Sequence, residues 1–232
     1  MIFLGNGSLL KKALLKTLSL NYRIDYVLSH SAELSAFCSQ NMIPFKVSID
    51  YNDEADIISQ YCSDGFIFSI DNGQILGEML LSLPGVKFYN IHNGLIPSYR
   101  GNPAVCIFFA LINGEKDYGV SLHEIDAGID TGKCLKQLHF LINDTDTFQD
   151  IMLKGIQYCE KIFEESLEDL INGSLPEIEI LGQHSKLYSQ KDLACVSNYR
   201  ESGNLNRALK FGIFRLYFPK IYSTIISKLV EH

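Results

Sequence analysis

Short apolar runs alternate with longer segments of helical periodicity over the first half of the chain. The apolar runs predict β-strands at Ile2–Leu4, Ile24–Leu28, Phe45–Ile49, Gly65–Ile70 and Phe88–Ile91. The segments between them predict helices from Ser8, a candidate N-cap, to Leu18, over Ala32–Gln40, from an Asn52 or Asp53 cap to Cys62, and over Ile75–Leu83. Continuously apolar strands separated by helices are typical of a parallel sheet that is covered on both faces, so the pattern predicts an α/β fold.

The alternation of strands and helices continues after Gly101. A helix is predicted at Pro103–Ile112, a hairpin of strands at Tyr118–Ile125 and Leu135–Ile142, and a long helix at Thr147–Ile171. The signal beyond is weaker, with a strand over Ile178–Leu181 and helices at Asp192–Val196 and Asn204–Phe211. We therefore expect a catalytic domain over residues 1–182 and a short, mostly helical C-terminal extension over residues 183–232.

The last part of the extension, residues 209–229, mixes aromatic and aliphatic residues with four basic ones. This composition is compatible with an amphipathic surface at a membrane edge. Pro219 interrupts the segment, however, which favours short helices that pack on the main domain or on a subunit partner. A homodimer is one arrangement that would cover them.

Composition narrows the class of protein. The chain has 232 residues, of which 47% are hydrophobic, and a net charge of -7, so it can bury a core and has no global attraction for nucleic acid. Its six cysteines form no CxxC pair and lie mostly in apolar runs, as expected for free thiols in a reducing compartment. We see neither a signal peptide nor an apolar run of about 20 residues that could span a bilayer, and we expect a cytoplasmic protein.

Polar side chains with catalytic potential lie near the end of the fifth strand. Asn90 and His92 are two residues apart in an extended segment, so their side chains should point to the same side. An amide can stabilise a developing oxyanion, an imidazole can carry a proton, and Asp130, in a later loop, can keep His92 charged or accept a proton. No Ser or Cys nucleophile belongs to this set, which favours direct transfer between two bound molecules over a covalent acyl-enzyme.

Two motifs carry a resemblance to a known family. The stretches N-I-H-N-G-L-I-P-S-Y-R-G, from Asn90, and G-V-S-L-H-E-I-D-A-G-I-D-T-G, ending at Gly132, resemble the formyltransferases that use N10-formyltetrahydrofolate. The likeness is convincing from Gly65 to Leu138. It implies a Rossmann-like fold and N-formyltransferase activity, with Asn90, His92 and Asp130 as the catalytic residues and no metal.

The resemblance also implies where the folate would bind. Family members hold it between the loop after the fourth strand and the loop before the I-D-T-G turn. Here those loops contribute Ile70, Asp71, Asn72, Ile75, Leu76, Ile125 and Asp126. The aliphatic residues among them could equally be plain core, and the polar residues after Ile70 could simply shape a turn.

The amine acceptor is less well specified. Tyr99, Arg100, Gly101 and Asn102 follow the motif strand, and Arg100 could contact a phosphate or carboxylate. The Y-R-G-N-P loop looks most like that of sugar-nucleotide and peptide-synthetase members, so the acceptor we expect is the primary amine of an amino-sugar nucleotide. The alternatives are formylation of an aminoacyl or other small-metabolite amine, hydrolysis of formyltetrahydrofolate, and a non-catalytic folate-binding protein. A tRNA acceptor is disfavoured by the acidic charge.

Overall fold

A seven-stranded sheet organises the chain in the computed structural model, which describes residues 1–180 and 184–230. The strands are β1 (Ile2–Gly5), β2 (Tyr26–Ser29), β3 (Phe45–Val47), β4 (Phe66–Ile70), β5 (Lys87–His92), β6 (Arg100–Gly101), β7 (Asp117–Glu124), β8 (Cys134–Leu141) and β9 (Leu187–Tyr188). The sheet order is β3-β2-β1-β4-β5-β7-β8, and β6 pairs separately with β9. The pairs among the first five strands of the chain are parallel, which confirms the predicted α/β class.

The predicted hairpin of β7 and β8 is also confirmed. Glu124 N donates to Lys133 O, and Ile142 N donates to Lys116 O. These bonds join the end of one strand to the start of the other at both extremities, as antiparallel neighbours require.

The helices surround this sheet. They are α1 (Gly7–Ser19), α2 (Ser35–Gln40), α3 (Ala55–Tyr61), α4 (Glu78–Leu81), α5 (Pro103–Asn113), α6 (Phe148–Ile171), α7 (Leu205–Ala208) and α8 (Pro219–Val230). Single 3₁₀ segments occupy Ala32–Leu34, Tyr51–Glu54, Gln190–Tyr199 and Gly212–Arg215. The extension is therefore mostly helical where the structure describes it, but much of its helix is of the tighter 3₁₀ kind.

Several predicted boundaries were wrong. The residue that precedes α1 is Asn6 rather than Ser8. Neither Asn52 nor Asp53 caps α3: Asp50 caps the 3₁₀ segment Tyr51–Glu54, and α3 follows Glu54 with no side-chain cap. The helix predicted over Ile75–Leu83 is a single turn, because Gln74 and Asn52 hold the residues before it in a loop. No strand forms at residues 178–180, and residue 181 lies outside the described residues.

The chain divides into two compact units. The first unit comprises Met1–Ile91, Leu122–Lys136 and Cys159–Glu179. The second unit comprises His92–Ser121, Gln137–Tyr158 and Ile180–His232. The extension thus shares a unit with residues from the middle of the chain, and the domain boundary near residue 182 stays a prediction.

The core of the second unit is built around α5. Every residue of α5 from Ala104 to Ile112 is buried. Asn102 caps the helix at its start by accepting from Ala104 N and Val105 N, and Gly114, with φ +75°, ends it. The extension packs against this core with Tyr188, Leu193, Val196, Ala208, Phe211, Phe214, Ile221 and Ile225. A helix buried on all sides explains why its sequence is apolar throughout rather than amphipathic.

Among residues 1–180 and 184–230, no helix is both long enough and apolar enough to cross a bilayer.

Candidate active site

Asn90 lies near the carboxyl end of β5, where its backbone pairs with that of Ser69 on β4. Its amide nitrogen, Nδ2, is 3.1 Å from Nε2 of His123 and 3.4 Å from Oδ1 of Asp130. The first distance is that of an ordinary hydrogen bond, and the second is at the weak limit. The first unit therefore brings together two of the predicted catalytic residues, Asn90 and Asp130, and adds a third residue to them.

Asp130 sits in a tight loop after β7. Its φ is +50°, in the left-handed region that a residue other than glycine seldom adopts. Asp126 shapes the loop by accepting hydrogen bonds from Gly128 N and the Thr131 hydroxyl group. A Cβ atom on Gly132 would lie 1.9 Å from the carbonyl oxygen of Glu124, so only glycine fits there. Strained backbone of this kind persists where the surroundings enforce it, which makes a functional role for Asp130 a reasonable hypothesis.

His123 is the residue that joins this pair, and its side chain is 2% exposed. Its Nδ1 lies 2.7 Å from the carbonyl oxygen of Glu124, and a carbonyl can only accept, so Nδ1 carries a hydrogen. In the neutral imidazole Nε2 is then bare and accepts from Asn90. When protonated, Nε2 instead has the carboxylate of Asp130 at 3.4 Å as its partner.

Sequence reasoning did not single out His123 as a site residue. It lies in β7, where six consecutive residues are buried, so alternation of polar and apolar residues gave no signal. The only hint was its place inside the G-V-S-L-H-E-I-D motif.

His92 ends β5 and belongs to the second unit, where it is 5% exposed. Its Nε2 is 2.6 Å from the carbonyl oxygen of Tyr99. A Cβ atom on Gly94 would lie 2.4 Å from both of these atoms, so the absence of a side chain at Gly94 leaves room for the contact. The imidazole is thus held by backbone seven residues further along the chain.

The residues predicted to bind folate differ widely in exposure. Ile70 and Leu76 are 1% and 4% exposed, whereas Ile75 is 66% exposed. Ile125 is partly buried and packs against the core cluster that contains Leu76. Of the aliphatic side chains, Ile75 is the one most open to a ligand, and Ile70 and Leu76 first of all fill the core.

The polar residues of this set are engaged within the loop after β4. Asn72 donates to the Ser69 hydroxyl group and accepts from Gln74 N. Asp71 has φ +51°, and a Cβ atom on Gly7 would lie 3.0 Å from its Oδ2, so its carboxylate lies at the start of α1, where negative charge is favoured. Although Asp71 is exposed on one side, the protein around its carboxyl group displaces enough water to raise its pKa. These contacts give the loop a fixed shape.

The residues predicted to bind the acceptor also have internal contacts. Tyr99 is 7% exposed and its hydroxyl group donates to Glu115 at 2.8 Å. Burial raises the pKa of Tyr99, and the nearby Glu115 carboxylate raises it further. Asn102 caps α5, and Gly101 has φ +98°. Tyr99 and Asn102 therefore support the loop, and direct contact of their side chains with an acceptor stays a prediction.

Arg100 differs from its neighbours. Its Nη1 donates to the Ser185 hydroxyl group at 2.8 Å, but its Nε is buried without a hydrogen-bond partner. An unpaired buried N–H group on a guanidinium is costly, and an anionic ligand is one way to satisfy it.

The part of the chain that the structure describes, residues 1–180 and 184–230, contains no cluster of three or more His, Cys, Asp or Glu residues that could hold a metal ion.

Comparison with known proteins relates this geometry to a family. The model of the formyl transferase family matches residues 4–167. A methionyl-tRNA formyltransferase of Prochlorococcus marinus is 30% identical over 206 residues, which cover 82% of this chain and 58% of that protein. Curated relatives that match most of the chain are longer, and the chain spans between 29% and 58% of their length.

Two solved structures share the fold. The sugar 3N-formyl transferase WlaRD, solved with dTDP and 5-N-formyl-THF, aligns with a TM-score of 0.70 and 24% identity over 93% of this chain and 80% of that one. The N-formyltransferase of Helicobacter canadensis, solved with folinic acid and dTDP-3-aminofucose, aligns with a TM-score of 0.72 and 24% identity over 93% of this chain and 81% of that one.

Proposed function

Because this chain belongs to the formyl transferase family, we propose that it transfers a formyl group from N10-formyltetrahydrofolate to a primary amine. The observation that carries the proposal is the contact of Asn90, in β5, with Asp130, in the loop after β7: an amide nitrogen and a carboxylate oxygen lie 3.4 Å apart. The pairing suits a reaction in which negative charge develops on an oxygen while a proton leaves a nitrogen.

The proposed catalytic residues act on the formyl oxygen and on the proton of the attacking amine. Asn90 donates an N–H group to the formyl oxygen as the amine attacks the formyl carbon, and its weak bond to Asp130 is the one that this oxygen replaces. Protonated His92 is the second group that stabilises the formyl oxygen. Asp130 accepts the proton that the attacking amine loses. As the bond between the formyl carbon and the folate nitrogen N10 breaks, N10 takes up the proton that Asp130 had accepted, and a formamide and tetrahydrofolate are left.

The proposed folate-binding residues lie in two loops, one that precedes Asn90 in the sequence and one just before Asp130. Ile75 offers an exposed apolar surface to a pterin ring, and the backbone around Asp71 and Asn72 offers hydrogen bonds to its edge. In the second loop, Ile125 offers apolar surface and the backbone around Asp126 offers hydrogen bonds. The internal bonds of Asn72 and Asp126 favour a rigid binding surface over one that forms only around the ligand.

For the acceptor we propose an amino-sugar nucleotide. Two structural neighbours were solved with dTDP or a dTDP-linked amino sugar, and the buried, unpaired Nε of Arg100 is suited to a phosphate oxygen. A tRNA acceptor is the second candidate, since curated relatives are methionyl-tRNA formyltransferases. The net charge of -7 disfavours it, because phosphate-rich RNA binds through basic surfaces. A cytoplasmic location and a homodimer are further parts of the proposal.

The test measures release of tetrahydrofolate from N10-formyltetrahydrofolate in three arms: a panel of dTDP-linked amino sugars, methionyl-tRNA, and water alone. We expect release that depends on an amino-sugar nucleotide and yields its formamide. Release with methionyl-tRNA alone would replace the acceptor, and release without any amine would make the protein a hydrolase. Absence of release in all arms, with folate still bound, would refute catalysis.

A further inference from the structure

We infer that residues Lys186–Tyr188 of the C-terminal extension position His92 and fix which of its nitrogens exchanges a proton. The inference rests on the proposed function only where it predicts a change in turnover. Every residue that carries it lies in the second unit.

The first step concerns the imidazole itself. Nε2 of His92 faces the carbonyl oxygen of Tyr99 at 2.6 Å, and a carbonyl has no hydrogen to donate. Nε2 must therefore carry a hydrogen whether the ring is neutral or charged. Consequently Nδ1 is the nitrogen that gains and loses a proton, and it is the atom through which His92 would serve a reaction.

The second step concerns the peptide group that supplies this carbonyl. The same peptide, between Tyr99 and Arg100, donates its N–H to the carbonyl oxygen of Lys186 at 3.0 Å. Two hydrogen bonds thus run in series, from His92 through one peptide group to Lys186. Bonds in series polarise each other, so the bond to Lys186 strengthens the carbonyl of Tyr99 as an acceptor and fixes its direction.

The third step concerns how the extension is attached to this loop. Lys186 N donates to Pro97 O at 2.9 Å, and Asn102 N donates to Tyr188 O at 2.9 Å. A Cβ atom on Gly101 would lie 2.3 Å from the Tyr188 carbonyl oxygen, so glycine permits the close pairing of β6 with β9. Backbone bonds on both sides of the Tyr99–Arg100 peptide leave it little freedom to rotate.

The Tyr188 side chain completes the attachment. Its ring stacks on that of Tyr99, with centroids 5.2 Å apart and planes within 9°, and on that of Phe109 at 5.2 Å. It is 8% exposed. Tyr188 thus clamps the residue whose carbonyl holds His92 against α5, and we assign it as a positioning residue that acts through Tyr99.

The test uses nitrogen NMR of full-length protein labelled with 15N-histidine, in which the His92 signals are those that disappear in His92→Gln. In the wild type we expect Nε2 to stay protonated across the titration while Nδ1 alone loses its proton. Tyr188→Leu, which removes the ring, should give a mixture of the two neutral tautomers. Tyr188→Phe keeps the ring and should retain the wild-type pattern.

Turnover provides the second readout. We expect kcat of Tyr188→Leu to fall about tenfold with KM for the formyl donor nearly unchanged, because a misplaced catalytic group slows chemistry more than binding. Tyr188→Phe, which keeps the ring, should have the kcat of the wild type. If Tyr188→Leu does not fold, Tyr188→Met, which keeps most of the buried volume without the ring, replaces it.

Two results would overturn the inference: a wild-type His92 whose neutral form carries its hydrogen on Nδ1, or a folded Tyr188→Leu that keeps the single Nε2–H tautomer. Failure of the proposed function looks different. In that case the tautomer shifts as expected on Tyr188→Leu, yet no amine acceptor is formylated by the wild type.

Discussion

In the first unit the candidate catalytic residues are held by contacts with other side chains, whereas in the second unit His92 is held by a backbone carbonyl group. Asn90 and Asp130 share His123 as a partner, and each of these contacts joins two side chains. His92, by contrast, is bonded to the carbonyl oxygen of Tyr99, which is itself fixed by the pairing of β6 with β9.

The difference matters because the two kinds of partner respond differently to change. The contacts of His123 depend on its protonation state, since only the neutral ring accepts from Asn90 and only the charged ring pairs with Asp130. A backbone carbonyl has one role at every pH. We therefore expect the geometry around Asn90 to change when one of its partner side chains is replaced, and that around His92 to change only when the backbone that holds it is displaced.

The largest effect should come from Asp130→Asn, which keeps the shape of the side chain but removes the proton acceptor. We expect kcat for release of tetrahydrofolate to fall about 10³-fold, within the range of general acid–base catalysis. Asp56→Asn, which changes an exposed carboxylate on α3, is the control and should leave kcat unchanged. Equal activity of the two variants would rule out Asp130 as the proton acceptor.

Asn90→Ala should have the next largest effect. It removes the N–H donor for the formyl oxygen and leaves His123 and Asp130 without their shared partner, so we expect kcat to fall about 10²-fold. The 15N signals of His92 should not move, because that ring is held from the second unit. A shifted His92 tautomer in this variant would contradict the separation of the two networks.

His123→Phe should have a smaller effect, since it removes a partner of Asn90 and Asp130 without removing either. We expect kcat to fall about tenfold through loss of orientation. His139→Phe is the control, because His139 is nearly half exposed and paired with Asp117 at the surface. A kcat for His123→Phe equal to that of the wild type would show that the ring only fills space.

The smallest effect concerns stability at the start of α6. The Thr147 hydroxyl group and backbone N–H donate to Asp150, and these bonds hold the pKa of the Asp150 carboxyl group below its ordinary value. Such a depressed pKa stabilises the fold at neutral pH, and the contribution disappears as the pH falls through that pKa. Thr147→Ala should therefore lower the free energy of unfolding by about 1 kcal/mol at pH 7, and by much less in acid.

Urea unfolding at several pH values would measure this difference. Thr145→Ala, an exposed neighbour two residues earlier, is the matched control and should have no effect at either pH. A loss of stability for Thr147→Ala that is the same at pH 7 and in acid would mean that the Asp150 carboxylate does not contribute through this cap.

Much of the fold was predictable because the apolar runs of the parallel strands are continuous and the turns between them are well marked. The runs at residues 2–4, 65–70 and 88–91 correspond closely to β1, β4 and β5. The failed boundaries lie where long-range side-chain contacts override local periodicity. The helix expected from Ile75 begins only at Glu78, since Asn52 binds the backbone of Ile75 and Gly77 from another loop.

The candidate site was predictable as far as its motifs reached. Asn90 and Asp130 do meet, although 40 residues separate them. His123 was missed because a buried histidine in a buried strand resembles core, and the bond from His92 to Tyr99 was missed because backbone acceptors leave no trace in a sequence. The burial of Tyr99 could not be foreseen either, since the Tyr188 ring that stacks on it comes 89 residues later.

The wholly apolar sequence of α5 has a consequence for folding during synthesis on the ribosome. Its residues leave the ribosome well before those of β9, α7 and α8, whose side chains complete its surroundings. Synthesis of about a hundred further residues takes several seconds at ordinary elongation rates. During this time the apolar segment is not yet buried by the residues that cover it in the folded protein. A chaperone that binds apolar peptides would meet the nascent chain at this segment first, and premature termination before Tyr188 should send the product to aggregation or degradation.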